Sequence, residues 1–203
     1  MCYNKLIMKK LPENDQVTPA ETAEILRLAE QCLDIEGDYV ELGCYRGDTS
    51  VLLGKLLQST AKRLWIYDSF AGLPAKTVED NSGAGANFQA GELLVSKREV
   101  VDKLRRANLR NVVIKKAWFN DLTDGDLPTQ IAFAFCDGDL YGSIKTSLHL
   151  VMPRLSERGI IIVHDYNNPE LPGSARAVDE FLRARPEFQL KVHYTLAILT
   201  KKC

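Results

Sequence analysis

Two acid-rich steps in the second half of the chain, Asp137-Gly138-Asp139 and His164-Asp165, hold the side chains best suited to chemistry. Three carboxylates and an imidazole brought together can hold a hard divalent cation such as Mg²⁺ through oxygen ligands. Such an ion would bind a substrate hydroxyl and lower its pKa, and Asp139 or His164 could then take the proton. Without a metal, His164 itself serves as base, oriented by an aspartate. One of Asp137 and Asp139 could instead cap a following helix, which leaves the other aspartate and the His-Asp pair unexplained. Two earlier acids, Glu41 and Asp68, each follow a short apolar run. A carboxylate at such a place repels a pyrophosphate but suits ribose hydroxyls or an ammonium group. Trp118 and Phe119 are placed either to pack on an adenine face or to fill core. His149 and His193 read as structural.

These residues work together only if the fold gathers them at one edge. The stretch Asp38 to Leu57 reads as strand, glycine turn and helix: Tyr39-Val40 closed by Glu41, a turn from Gly43 to Gly47, then Val51, Leu52, Leu56 and Leu57 at helical spacing. This is the first unit of a nucleotide-binding α/β sheet, yet neither a G-x-G-x-x-G fingerprint nor a P-loop is present. A carboxylate just before the turn points to a cofactor with hydroxyls and positive charge but no phosphate, of which S-adenosylmethionine is the common one. Upstream, Thr18-Pro19-Ala20-Glu21 predicts a helix start with a capping box, and an apolar stripe carries that helix to about Leu33.

Downstream, strands are expected at Leu64–Tyr67 (ending at Asp68), Val112–Ile114, Ile131–Cys136 and Gly159–Val163, and a closing hairpin at Phe188–His193 and Leu196–Thr200. Helices are expected near Glu92–Ala107, Tyr141–Leu155 and Ser174–Ala184. The alternation predicts an α/β fold: a seven-stranded, mostly parallel sheet with one antiparallel strand and helices on both faces. Ligands of such sheets bind at the carboxyl ends of the strands, where Glu41, Asp68, Asp137, Asp139 and Asp165 all fall. One domain over residues 1–203 is expected, with residues 1–17 as an arm and residues 73–92 as a lid-like loop.

The bulk numbers fit that picture. Lys plus Arg (26) nearly balances Asp plus Glu (27), so the net charge of −1 favours neither nucleic acid nor an anionic membrane as partner. The five cysteines form no CxxC pair and read as free thiols of a reducing cytoplasm. No apolar run is long enough to span a bilayer, and the N-terminal residues lack a secretory signal.

The segments Asp68-Ser-Phe-Ala-Gly-Leu-Pro74, Asp137-Gly-Asp-Leu-Tyr141 and His164-Asp-Tyr166 resemble those of the macrocin O-methyltransferase (TylF/MycF-type) family, as does Val40-Glu-Leu-Gly-Cys-Tyr-Arg-Gly47. The resemblance runs from about Val40 to Phe181. It implies a Rossmann-like class I methyltransferase fold and an S-adenosylmethionine-dependent O-methyltransferase with Mg²⁺ at the ends of strands four and five. The acceptor would be a hydroxyl of a small molecule, such as a sugar of a natural product; self-association into a homo-oligomer is left open. Carried over by position, Glu41, Gly43, Tyr45, Gly47, Thr49, Asp68, Ser69, Phe70, Trp118, Phe119 and Asp137 would contact the cofactor. Asp137, His164 and Asp165 would fall at the metal, with Asp139 the likelier base than His164. Two departures stand out. The family's Asp-Asp-Tyr is His164-Asp165-Tyr166 here, which weakens Mg²⁺ preference and admits softer ions or none. The chain also begins close to its first helix, which argues against a large macrolide acceptor. The rival readings are metal-free transfer to nitrogen and a non-catalytic binder of the cofactor or a nucleoside.

Overall fold

The computed structural model describes residues 16–82 and 88–202. The elements run α1 (Pro19–Gln31), β1 (Asp38–Leu42), α2 (Asp48–Leu56), β2 (Leu64–Asp68), α3 (Lys97–Arg106), β3 (Val112–Lys116), β4 (Ile131–Cys136), α4 (Tyr141–Val151), β5 (Leu155–Val163), α5 (Pro172–Ala184), β6 (Phe188–His193) and β7 (Leu196–Lys201). One seven-stranded sheet results, in the order β3-β2-β1-β4-β5-β7-β6. Strands β1 to β5 pair in parallel, and β7 is antiparallel to both β5 and β6. The expected single antiparallel strand is therefore β7.

Alternation along each strand divides the core in two. Tyr39, Ile66, Phe133, Phe135 and Ile162 join the α1, α2 and α3 side chains on one face. Val40, Tyr67, Ala134, Cys136, Ile161 and Val163 join α4 and α5 on the other. Central strands buried on both faces read as unbroken apolar runs, which is why Ile131–Cys136 carries no polar residue. Among the described residues no helix is long and apolar enough to cross a membrane.

Several boundaries differ from the sequence reading. Strand β1 runs one residue past Glu41, to Leu42. Helix α3 begins at Lys97 rather than near Glu92, because Ser96 and Glu99 form a capping box there. Helix α4 stops at Val151, where Pro153 enforces a 3-10 turn, and β5 then starts at Leu155, four residues before the expected Gly159. The expected capping box of Thr18 and Glu21 is present. The arm expected over residues 1–17 lies outside the described residues except for Gln16 and Val17.

Candidate active site

The carboxyl ends of β1, β2, β4 and β5 open onto a single cavity of about 580 Å³, within the range of small-ligand sites. Its lining includes Gly43, Tyr45, Asp68, Ser69, Trp118 and Phe119 on one side, and Asp137, Asp139, His164 and Asp165 on the other. Each of the four loops behind this rim contains a non-glycine residue with positive φ: Tyr45 (44°), Phe70 (48°), Asp139 (59°) and Asp165 (60°). Such conformations cost about 1–3 kcal/mol each and persist where the surroundings enforce them, commonly at functional sites.

Asp68 is held by main chain. Its Oδ2 accepts from the N–H groups of Cys44 (2.9 Å) and Tyr45 (3.3 Å), and its Oδ1 accepts from Phe70 N–H (2.7 Å). The carboxylate thus ties the end of β2 to the glycine turn and still lines the cavity, where the lone pair left on Oδ1 can receive one ribose hydroxyl. Gly43 lines the cavity with a φ of 90°, and a Cβ there would also lie 1.9 Å from the carbonyl oxygen of Asp137. The turn packs against the end of β4, so the two halves of the rim share backbone contact.

Four residues expected at the cofactor do not line the cavity. Glu41 lies inside β1 rather than at its end, because the strand continues to Leu42. It is fully buried, with Oε2 accepting from Ser50 Oγ at 2.5 Å and Oε1 without a partner. Burial first, and then the nearby carboxylates of Asp137, Asp68 and Asp48, push its pKa up to about 8. Gly47 is the left-handed N-cap of α2, Thr49 is buried in the first turn of that helix, and Phe70 is packed into the core.

The other half of the rim is built from side chains. His164 is 4 % exposed, and its Nδ1 lies 3.0 Å from Asp137 Oδ1 and 2.9 Å from Asp165 Oδ2. Asp165 is steadied by Asn168, whose amide donates to Oδ1 at 2.8 Å. Burial alone would lower the pKa of His164, but the carboxylates of Asp137, Asp165 and Glu21 outweigh it and hold the imidazole well above its usual value. Asp137, His164 and Asp165 each offer one ligand atom, all within 4.8 Å of one another. That donor set fits a divalent cation, and the imidazole makes it a borderline set rather than a hard one. Asp139 stands apart: its carboxylate faces the cavity, and no described residue donates a hydrogen bond to it. Burial, followed by the charges of Asp137 and Asp165, holds its pKa well above the usual carboxylate range.

Three contributors escaped the sequence reading. Asn168 is one. Asp80, in the loop expected as a lid, accepts from the N–H of Tyr141 at 2.6 Å and so caps α4, whose own N-cap residue, Leu140, has no side chain to do it. The pattern Thr77-x-x-Asp80, which forms a capping box, was the available signal. The loop is closed at its base, where Leu73 N–H donates to Glu92 O (2.8 Å) and Gly91 N–H donates to Leu73 O (2.9 Å). The third is Glu21, whose carboxylate reaches from α1 to within 3.8 Å of His164 Nε2.

The sequence matches the family model for Macrocin-O-methyltransferase (TylF) over residues 23–192. It is 32 % identical over 140 residues to the 8-demethyl-8-(2,3-dimethoxy-alpha-L-rhamnosyl)-tetracenomycin-C 4'-O-methyltransferase of Streptomyces olivaceus, covering 65 % of this chain and 54 % of that protein. It is 32 % identical over 158 residues to the demethyldecarbamoylnovobiocin O-methyltransferase of Streptomyces niveus, covering 73 % of this chain and 59 % of that one. The chain thus spans a little over half the length of these relatives. Among solved structures, the O-methyltransferase NovP superposes with a TM-score of 0.79 at 25 % identity, covering 97 % of this chain and 86 % of that chain.

Proposed function

Because the chain belongs to the macrocin O-methyltransferase family, we propose that it transfers a methyl group from S-adenosylmethionine to a hydroxyl of a small molecule. A sugar hydroxyl of a natural product is the acceptor class that the names of its relatives support. The observation that carries this reading is the single cavity shared by Asp68 and the Asp137, Asp139, His164 and Asp165 cluster. A protein that only bound the cofactor would need the first and not the second.

S-adenosylmethionine, when bound, supplies a sulfonium methyl group that passes to the acceptor oxygen while the electron pair of the broken C–S bond stays on sulfur. Asp68 receives a ribose hydroxyl, and Trp118, 37 % exposed at the rim, offers a face to the adenine. Asp139 takes the proton of the acceptor hydroxyl, since its carboxylate is the one in the cavity to which no described residue donates a hydrogen bond. Asp137, His164 and Asp165 would hold a divalent cation, which lowers the pKa of a bound hydroxyl. The loop carrying Leu73, Thr77, Asp80 and Phe88 supplies the remaining wall and keeps water from the reacting atoms.

The test is to incubate the full chain with S-adenosylmethionine and a panel of rhamnosides and other neutral glycosides, and to assay S-adenosylhomocysteine together with the methylated product. Product whose methyl sits on oxygen supports the reading. Failure of S-adenosylhomocysteine to raise the melting temperature at millimolar concentration would remove the cofactor assignment.

A further inference from the structure

Glu21 is spent several ways at once. Its Oε2 closes the capping box of α1, accepting from Thr18 N–H (3.0 Å) and Thr18 Oγ (2.7 Å). Its Oε1 accepts from Thr195 Oγ (2.5 Å) and Thr195 N–H (3.3 Å), in the turn between β6 and β7. A helix cap needs none of the second set. The carboxylate is 3 % exposed, pinned between two distant segments, and Oε2 is aimed at His164 Nε2 at 3.8 Å. That Nε2 is itself buried and has no hydrogen-bond partner.

On the other edge of the ring, Nδ1 faces Asp137 and Asp165 at 3.0 and 2.9 Å. The three residues each offer one ligand atom, all within 4.8 Å of one another, so an imidazole that here binds the carboxylates can, once deprotonated, give its Nδ1 to an ion shared with them. Histidines that bind metals almost always donate their other ring N–H to a carboxylate or carbonyl, which fixes tautomer and ring orientation. Glu21 is the carboxylate on that side of the ring, at an ion-pair distance of 3.8 Å rather than a hydrogen-bond distance.

We infer that Glu21 is the positioning residue of His164, turning Nδ1 toward Asp137 and Asp165 so that the three form a site selective for a borderline divalent ion, such as Co²⁺, over Mg²⁺. The inference rests on the methyl-transfer reading only for the use of the site, not for its existence. The physical reason is ligand type. An imidazole nitrogen suits first-row transition metals, whereas Mg²⁺ is held by oxygen ligands and keeps its waters. This chain has both an imidazole between two carboxylates and a third carboxylate on the far side of the ring.

The experiment is calorimetric titration of the full chain, saturated with S-adenosylhomocysteine, with Mg²⁺, Mn²⁺ and Co²⁺ in turn. Binding of Co²⁺ at least about tenfold tighter than Mg²⁺ is expected, with a visible absorption band of the bound Co²⁺ that shifts in His164→Asp. Glu21→Gln, which can still cap α1, should weaken Co²⁺ about 10- to 100-fold while the affinity for S-adenosylhomocysteine is kept. Thr195→Val, which removes the shorter of the two hydrogen bonds to Oε1 without touching the ring, should weaken it in the same direction by less. His164→Asp should bring the affinities for Co²⁺ and Mg²⁺ toward each other. Equal or tighter binding of Mg²⁺ by the unaltered chain would overturn the inference, as would a Co²⁺ affinity indifferent to Glu21→Gln. If S-adenosylhomocysteine binds and no ion does, the metal inference fails and the transfer reading stands. If S-adenosylhomocysteine does not bind, the transfer reading fails instead.

Discussion

The two halves of the strand-end rim hold their carboxylates by different means. At β2, Asp68 is gripped by three main-chain N–H groups from its own loop and the neighbouring glycine turn. At β4 and β5, Asp137, His164 and Asp165 hold one another, and the outermost brace is Glu21, more than 140 residues away in sequence. Main-chain donors are supplied by turn geometry and survive most side-chain changes. A set of mutually dependent side chains changes character when one member changes. The first half is therefore insensitive to most single replacements, while the second half takes its character from each of its members.

That contrast is broken or sharpened first at Asp139. Asp139→Asn removes a proton acceptor and little else, so turnover should fall about 10²- to 10⁴-fold, with the affinity for S-adenosylhomocysteine unchanged. Near-normal turnover would move the base to His164. Asp68→Ala should act on the other half alone. Loss of a charge-assisted hydrogen bond to ribose, about 1.5–3 kcal/mol, corresponds to a 10- to 150-fold weaker cofactor by calorimetry. Ion binding at the far half should change much less. Equal losses at both halves would mean that Gly43 and Asp137, packed backbone to backbone, transmit damage across the rim.

The two halves were also unequally legible. Strand, glycine turn and helix are local patterns, and alternation with the later helices gave the sheet, its antiparallel strand and the rim itself. Asp68, Asp137, Asp139 and Asp165 could be placed because a strand end is a local property. Glu41 was misplaced by a single residue of strand length, enough to move its carboxylate from the cavity into the core. Asp80 and Glu21 could be read only as helix caps. Their longer-range partners, Tyr141 and His164, are set by how loops and helices dock, which no periodicity records.

Glu41 provides a test that ignores the cavity altogether. Its pKa rises from 4.5 to about 8 on folding because the site is dry. Above the unfolded value the unfolded chain has lost a proton that the native chain keeps. Stability therefore falls as pH rises, from about 4.5 until the native group itself ionises near 8. Between pH 6 and pH 8 the loss should be about 2 kcal/mol. Glu41→Gln should flatten that slope in urea unfolding series and raise stability at pH 8. An unchanged slope would mean that Glu41 is already ionised, and that its partnerless Oε1 reaches water or a ligand.

The smallest effect concerns Asp80, which links the two halves through the loop between them. Its Oδ1 caps α4 beside the Asp137-Gly138-Asp139 turn, and its Oδ2 fixes Thr77 in the loop wall. Gly173, at the start of α5, is glycine for the same reason: a Cβ there would lie 2.0 Å from Asp80 Oδ1. One carboxylate therefore joins loop, α4 and α5 at a single point. Asp80→Ala should cost about 1 kcal/mol of stability as a lost cap, read as a fall of about 2–4 °C in melting temperature. It should also raise the acceptor KM, because the loop loses its anchor while Asp139 and Asp68 keep theirs. A stability loss with no change in KM would make Asp80 a helix cap alone and leave the loop without a part in closing the cavity.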